Sequence, residues 1–403
     1  MKLHSGDLYW NKTMDANSKF DKITKSFHTE ILIVGGGMSA ALTAHVLAAN
    51  GMEVTVVERH RIGEGSSAAN TGLLQYTSDK MLSDFVDDIG EEQAVLFYKM
   101  CLNAMKHLDS INAQLSDDTE YINKDSIYYA SSDEDVQKLK VEFEYLKKYQ
   151  FPVEFLTNEE LIKRYSIDKP CAIKTCGDAE VNPFKFIQAL TQMNDELGVR
   201  YYEHTEIDLD NLIENKVFTI DGHSITCEHL ILTTGYVKQY PAIHNKSKIN
   251  RTYAFCSKPL SSSPWKDEVM IWETKNPYLY FRTTKDHRII AGGLDEEIDY
   301  VEENQNFILA KANDIKNQIQ SIFPEIDIEI SYAWNALFGS SVDGLPFIGR
   351  DPQMKSVYYL LGYEGNGTCY SMAGALILND LINNKKNPYE DIVKVNRKKG
   401  VQN

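Results

Sequence analysis

A chain of 403 residues is too long for one ordinary hydrophobic core and suits two domains that share packing surface. Its 43% hydrophobic and 25% charged residues are those of a soluble globular protein, and no run of 18 apolar residues offers a membrane span. The formal net charge of −16 repels nucleic acid and anionic lipid, so neither is an expected partner, although peripheral membrane docking stays open. The six cysteines form no CxxC pair and the ten histidines no HExxH, so no metal is expected. Residues 1–28 lack the apolar segment of a signal peptide, which with free thiols points to the cytoplasm.

In chain order, residues 1–28 carry Tyr9, Trp10, Phe20 and Phe27 among polar residues. They read as an arm packed on the first domain or as a disordered leader. Residues 30–34 are a short apolar run of strand type that stops at Gly35-Gly36-Gly37. A helical pattern follows over 38–50, Gly51 closes it, and 53–57 reads as a second strand ending on Glu58. Strand, glycine turn, helix, strand and acid in this order form a dinucleotide-binding βαβ unit. Gly35 permits the tight turn, and Gly37 lets a pyrophosphate approach the backbone. Ala40 replaces the frequent third glycine, and the first helical amides, around Met38 and Ser39, face the anion. Glu58 is placed to accept ribose hydroxyls and repels a 2′-phosphate, which argues against NADP. A glycine-rich turn in an ordinary α/β sheet is the alternative.

The loop after Glu58 is small and polar: Gly63, Gly65, Ser66, Ser67, Asn70 and Gly72 could curl around the same ligand. Residues 79–108 read as helix, 126–130 as strand, 133–149 as helix and 158–165 as a short helix, none with a chemical signature. Residues 177–183, GDAEVNP, read as a turn entering a helix over 184–197, with strands at 199–202 and 216–219. The run 228–233 is a buried strand followed by Thr234-Gly235, where a sheet edge can touch a ligand. Alternating segments at 250–257, 269–272, 278–282, 288–292 and 326–332 predict an antiparallel sheet, with a helix over 302–322. Trp272, Tyr278, Tyr280, Tyr332 and Trp334 make this region aromatic. A strand at 357–361, the glycines Gly362, Gly365 and Gly367, and a helix over 371–382 then aim a second helix N-terminus at the ligand.

Taken together, GGGMSA with Glu58, GEGSSAANTG, GDAEVNPF, LILTTG, RIIAGG and GYEGNG resemble the FAD-dependent D-amino-acid-oxidase superfamily, over residues 29–385. The resemblance is to its glycine oxidase, sarcosine oxidase and γ-glutamylputrescine oxidase branches. It implies an α/β fold: a Rossmann-like FAD-binding domain from the separated segments 29–80, 178–239 and 333–388, and an α+β substrate domain with an antiparallel sheet from 81–177 and 240–332. An N-terminal arm at 1–28 and a C-terminal tail at 389–403 flank them. By the same resemblance, Gly35, Gly37, Met38, Ser39, Ala40, Glu58 and Arg59 hold pyrophosphate and ribose. Gly65, Ser66, Ser67, Asn70 and Gly72 line the path to the flavin ring, and Val181, Thr234 and Gly235 contact the adenosine half. Gly365, Asn366, Gly367 and Thr368 face the pyrimidine edge, where helix amides stabilise the negative charge of reduced flavin.

The implied chemistry is oxidation of a C–N bond by hydride transfer to flavin N5, giving an imine that hydrolyses, with oxygen or an unknown carrier as electron acceptor. No general base is evident from the sequence. Phe338 and Gly339 stand where the family's amino-acid oxidases carry a carboxylate-clamping arginine, which favours a small amine without an α-carboxylate. Tyr278, Tyr280, Arg282, Trp334 and Phe338 are the substrate-pocket candidates. Arg282 either replaces the clamp or pairs with Asp295 or Glu296. Ser340 and Ser341 stand where the sarcosine-oxidase branch attaches FAD to cysteine, so FAD is expected to be non-covalent, and Cys369 reads as a buried structural thiol. A glycine or D-amino-acid oxidase or dehydrogenase, and a non-catalytic flavin-binding redox sensor, are the alternatives.

Overall fold

The computed structural model describes residues 1–15, 19–238, 240–243 and 246–397. Two sheets carry the fold. The first runs in the order Phe347–Arg350, Val357–Leu361, Ser224–Leu232, Phe27–Val34, Val54–Val57, Arg200–Tyr202, with Lys216–Phe218 pairing on Ser224–Leu232. Its inner pairs are parallel. Parallel strands are covered on both faces, which is why their sequences read as continuous apolar runs. The register sets Val34 level with Val57 and with Leu232, so Gly35, Glu58 and Thr233 all emerge at one carboxyl edge.

Helix Met38–Ala49 follows the glycine turn and is buried nearly all round, because it lies between this sheet and helix Gly367–Ile382. Small residues line the first helix at Ala40, Ala41 and Ala44, and Gly374 of the second lets that helix sit on the sheet, where a Cβ would lie 2.8 Å from Leu360 Cγ.

The second sheet runs His4–Gly6, Ile330–Ser341, Ser247–Ser257, Ile289–Glu296, Tyr280–Thr283, Met270–Glu273, Ile122–Tyr129, Cys171–Glu180, Leu73–Leu74, with Val153–Thr157 also on Cys171–Glu180. It is mixed rather than purely antiparallel, because Met270–Glu273 joins the distant Ile122–Tyr129 in parallel. The strand Ile330–Ser341 runs unbroken through residue 333, where the sequence suggested a change of domain. The arm expected over 1–28 divides between the two sheets: Phe20 stacks on Tyr201, the Ile23 amide donates to Thr205 Oγ1 at 3.1 Å beside the first sheet and Phe27 opens one of its strands, whereas the first residues join the second sheet. His4–Gly6 is a strand of the second sheet, and Trp10 is wholly buried. The presumed C-terminal tail is anchored as far as Arg397, whose guanidinium donates to both Asp343 oxygens at 2.7 and 2.8 Å; its last six residues lie outside the described ones.

Local chemistry explains two further departures. The helix expected over 79–108 is two helices, Leu82–Ile89 and Glu91–Asn112, broken at Gly90, whose φ of +83° suits glycine. The first begins where the buried Glu142 carboxylate accepts the amides of Leu82 and Ser83 at 2.9 and 2.7 Å. Residues 177–180 form strand rather than turn. Asp178 is buried there, accepting from Ser126 Oγ and Thr175 Oγ1 at 2.6 Å each and from the Tyr76 amide at 3.1 Å. The helix starts only at Pro183, capped by Asn182 Oδ1 on the Lys185 amide at 3.1 Å.

Gly72 closes the loop between the sheets with φ +73°, and a Cβ there would overlap Val181 O and Arg282 Nη2. Gly72→Ala is therefore expected to destabilise the protein by about 3 kcal/mol or more. The urea-unfolding midpoint checks this, and an unchanged midpoint would refute it.

Candidate functional site

One long cleft runs from the carboxyl edge of the first sheet to the face of the second. At its first end, Gly35 turns with φ +113°, and a Cβ there would sit 2.6 Å from Thr233 O. The Glu58 carboxylate spans the turn, accepting the Gly36 amide at 2.7 Å and the His60 amide at 2.8 Å. Ser67 Oγ accepts the Met38 amide at 3.0 Å, and a Cβ on Gly37 would crowd that hydroxyl at 3.0 Å. The second helix N-terminus opens on the same cleft. Ser39 Oγ and Ser371 Oγ, 2.7 Å apart, bond the two helices together. Gly365 donates its amide to Asp79 Oδ2 at 2.8 Å, and Asn366 Nδ2 donates to Thr77 O.

The loop between these ends is fixed through four consecutive carbonyls. Trp334 Nε1 donates to Ala69 O at 2.8 Å and Trp10 Nε1 to Asn70 O at 2.7 Å. Arg282 Nε donates to Thr71 O at 2.8 Å, and the Val181 amide to Gly72 O at 3.0 Å. Buried carbonyls require such partners. Meanwhile Ser66 Oγ, Gln75 Nε2 and Trp272 Nε1, all on the cleft wall, are buried without a partner among the described residues. Unpaired polar atoms strung along a cleft with a helix N-terminus at each glycine turn fit a long ligand with a pyrophosphate and a heteroatom-rich ring. FAD is such a ligand.

The far end is aromatic and acidic. Trp272, Tyr278 and Tyr280 form its wall, with Trp272 to Tyr278 at 6.3 Å and Tyr278 to Tyr280 at 5.7 Å between ring centroids. Asp79, Asp295 and Glu364 complete it. Tyr278 donates its hydroxyl to Asp79 Oδ1 at 3.2 Å, and Glu364 Oε1 accepts from Ser341 Oγ at 3.0 Å. Asp295 Oδ1 is buried without a partner among the described residues. Burial raises all three acids above the usual carboxylate range, Asp295 to about 6 and Glu364 to about 7, with Asp79 adding its charge against both.

Most of the sequence candidates line this cleft: Gly35, Gly37, Met38, Ser39, Glu58, Arg59, Gly65, Ser66, Ser67, Asn70, Gly72, Thr234, Gly235, Gly365, Asn366, Gly367, Thr368, Tyr278, Tyr280 and Phe338. Four do not. Ala40 is buried in helix packing. Val181 is buried too, its amide and carbonyl tied to Gly72 and Arg282. Trp334 is buried with its indole on Ala69. Arg282 is 2% exposed and donates to Thr71 O, Val181 O and Thr283 O at 2.7–2.8 Å, with Glu180 at 3.6 Å. It is neither a substrate clamp nor a partner of Asp295 or Glu296; Glu296 pairs with Arg251 at 2.8 Å. Asp79, Glu364 and Gln75 were not expected. Gln75 and Asp79 follow the segment that ends at Gly72 and Glu364 lies inside GYEGNG, and only tertiary folding turns them into the cleft. Among the described residues no cysteine lines the cleft, and Cys369 is buried, its Sγ 3.5 Å from Cys101 O.

Glu58→Ala frees two turn amides and removes the acid, so FAD affinity is expected to fall about 10- to 100-fold in a fluorescence-quenching titration. Arg282→Met strips donors from three carbonyls and leaves buried Glu180 with Lys124, at 3.9 Å, as its remaining cation. A loss of about 3–5 kcal/mol is expected by urea unfolding, and a change under about 1 kcal/mol would contradict the cage.

Comparison with known proteins agrees with this geometry. The family profile described as FAD dependent oxidoreductase (DAO) matches residues 30–381. A Bacillus subtilis (strain 168) protein named putative Rieske 2Fe-2S iron-sulfur protein YhfW is 24% identical over 96% of this chain and 74% of its own length. The gamma-glutamylputrescine oxidoreductase of Escherichia coli (strain K12) is 22% identical over 92% of this chain and 87% of its own. The crystal structure of glycine oxidase from Geobacillus kaustophilus superposes with a TM-score of 0.77 at 19% identity, covering 93% of this chain and all of that one, a likeness of fold. The chain therefore belongs to the DAO family of FAD-dependent oxidoreductases, with FAD as its cofactor.

Proposed function

We propose that the protein oxidises the C–N bond of a small amine lacking an α-carboxylate, with FAD bound non-covalently in the cleft. One observation carries this. The far end of the cleft presents three carboxylates and three aromatic rings, and Arg59, at the glycine-turn end beside Glu58, is the single Arg or Lys lining the cleft among the described residues. An amino-acid donor needs a cation for its carboxylate, and the nearest candidate, Arg282, is held by backbone carbonyls. An alkylammonium, by contrast, is attracted by ring faces and by acids alike. The relative named gamma-glutamylputrescine oxidoreductase supports an amine donor.

FAD, when bound, supplies the hydride acceptor. The protein orients the amine, and Asp295 is placed to take the ammonium proton, since an acid poised near neutrality is suited to that transfer. The carbon then loses hydride and the imine product adds water. The absence of cysteine from the lining supports non-covalent FAD. Six free cysteines support a cytoplasmic setting.

An anaerobic panel tests the donor. Alkylamines are expected to bleach the flavin, while glycine, sarcosine and D-alanine do so at least about tenfold more weakly. Bleaching by amino acids alone would overturn the proposal in favour of an amino-acid oxidase, and no bleaching by any donor would favour a redox sensor. Admitting air then distinguishes oxygen from a carrier. A cation needs ionised acids beside it, so the half-saturating amine concentration is expected to fall as pH rises through about 6 to 7, the range in which Asp295 and Glu364 ionise. Asp295→Asn should raise that concentration about tenfold at pH near 7.5 and flatten the step; an unaltered pH profile would remove Asp295 from the mechanism.

A further inference from the structure

We propose that residues 1–13 are a working part of the cofactor site: a strap that holds the loop 63–72 closed over FAD and sets how slowly FAD leaves. The inference rests on the assignment of FAD to this cleft and is independent of the substrate.

The strap is tied to the second sheet on one side. Leu337 donates its amide to Leu3 O at 2.8 Å, His4–Gly6 pairs with Trp334–Ala336, and Asp7 donates to Ala333 O at 2.9 Å. Gly6 has φ +103°, and a Cβ there would crowd Trp334 Cα at 2.7 Å, so the strand lies hard against its neighbour. On the other side it grips the loop. His4 Nε2 is 3.0 Å from Glu64 O, and Trp10, wholly buried, donates to Asn70 O at 2.7 Å. Arg59, beside the ribose acid, donates to Met1 O at 3.3 Å, and Leu3 lines the cleft itself.

The grip on Asn70 reaches the pyrophosphate end. Asn70 Nδ2 donates to Ser67 O at 3.2 Å, and Asn70 Oδ1 accepts the Gly72 amide at 2.8 Å. Ser67 Oγ in turn takes the Met38 amide at the helix N-terminus. Between Gly63 and Gly72 the described backbone has only one 3-10 turn, Ser66–Ala68, so the loop lacks a ladder of its own. Its opening, which FAD must await to leave, breaks the bonds to His4 and Trp10 and exposes the Trp10 ring.

The experiment uses the FAD-loaded full chain, diluted and followed by the rise of free-flavin fluorescence. Trp10→Phe keeps an aromatic six-membered ring but removes the donor with the pyrrole ring that carries it, and is expected to speed FAD release about tenfold. Deletion of residues 1–13 should speed it further. Lys258→Ala, which lies outside the strap and the cleft lining and removes only the exposed pair with Glu329, should release FAD at the parental rate. The melting temperature separates a cofactor role from a merely structural one. A strap acting on FAD lowers the melting point of the loaded Trp10→Phe protein more than that of the apoprotein. Parental release from Trp10→Phe, or equal loss of melting temperature with and without FAD, overturns the proposal. Were the deletion to fail to fold, Trp10→Phe alone decides. If Glu58→Ala also leaves FAD binding unchanged, the cleft assignment falls with it; if Glu58→Ala weakens binding and Trp10→Phe does not speed release, the strap alone falls.

Discussion

Four backbone carbonyls in a row, from Ala69 to Gly72, are held by donors from four distant parts of the chain: Trp334, Trp10, Arg282 and Val181. A loop that lies between two sheets has no ladder to satisfy its polar groups, and leaving them bare in the interior costs about 1–3 kcal/mol apiece. The loop therefore has one shape, and that shape sets Ser66, Ser67 and Gly72 along the cleft. Everything chemical follows from this constraint. It also removes Arg282 and Trp334 from substrate contact, because their polar atoms are already committed to the backbone.

The removal of Arg282 gives the far end of the cleft its character. With that guanidinium buried against Glu180, the acids Asp79, Asp295 and Glu364 face the cleft without a neighbouring Arg or Lys among the residues lining that end. Burial raises the proton affinity of all three, and the charge of Asp79 adds to it at Asp295 and Glu364. Such a pocket is electrostatically poor for a carboxylate and good for a cation. The same buried bonds thus stabilise the fold and leave this end of the cleft acidic, the feature on which the proposed amine preference rests.

The first sheet contributes differently. Its parallel register levels the ends of Phe27–Val34, Val54–Val57 and Ser224–Leu232, so the glycine turn, the acid and Thr233 meet without any side chain having to reach. Two helix N-termini then face one cleft, and the Ser39–Ser371 bond keeps them in step. A ligand with an anionic pyrophosphate linker and an electron-accepting ring would meet one helix end with each.

The local sequence was sufficient for the glycine turn, the helix behind it, the strand that ends before Glu58 and the existence of the second glycine unit, whose helix begins at Gly367 rather than at 371, because each depends on neighbours within a few residues: φ freedom at Gly35, apolar period and strand length. It was also sufficient for the family, through motifs whose order is preserved along the chain. It misplaced Arg282, Trp334 and Val181, and it passed over Asp79 and Glu364. A side chain's partner is chosen by strands hundreds of residues apart, as with Arg282 and Thr71, and a one-dimensional pattern does not encode that distance. The first residues make the same point. Their composition left arm and leader equally open, and only pairing with Ile330–Ser341 turned His4–Gly6 into a strand, since a three-residue strand has no stability apart from the sheet that receives it.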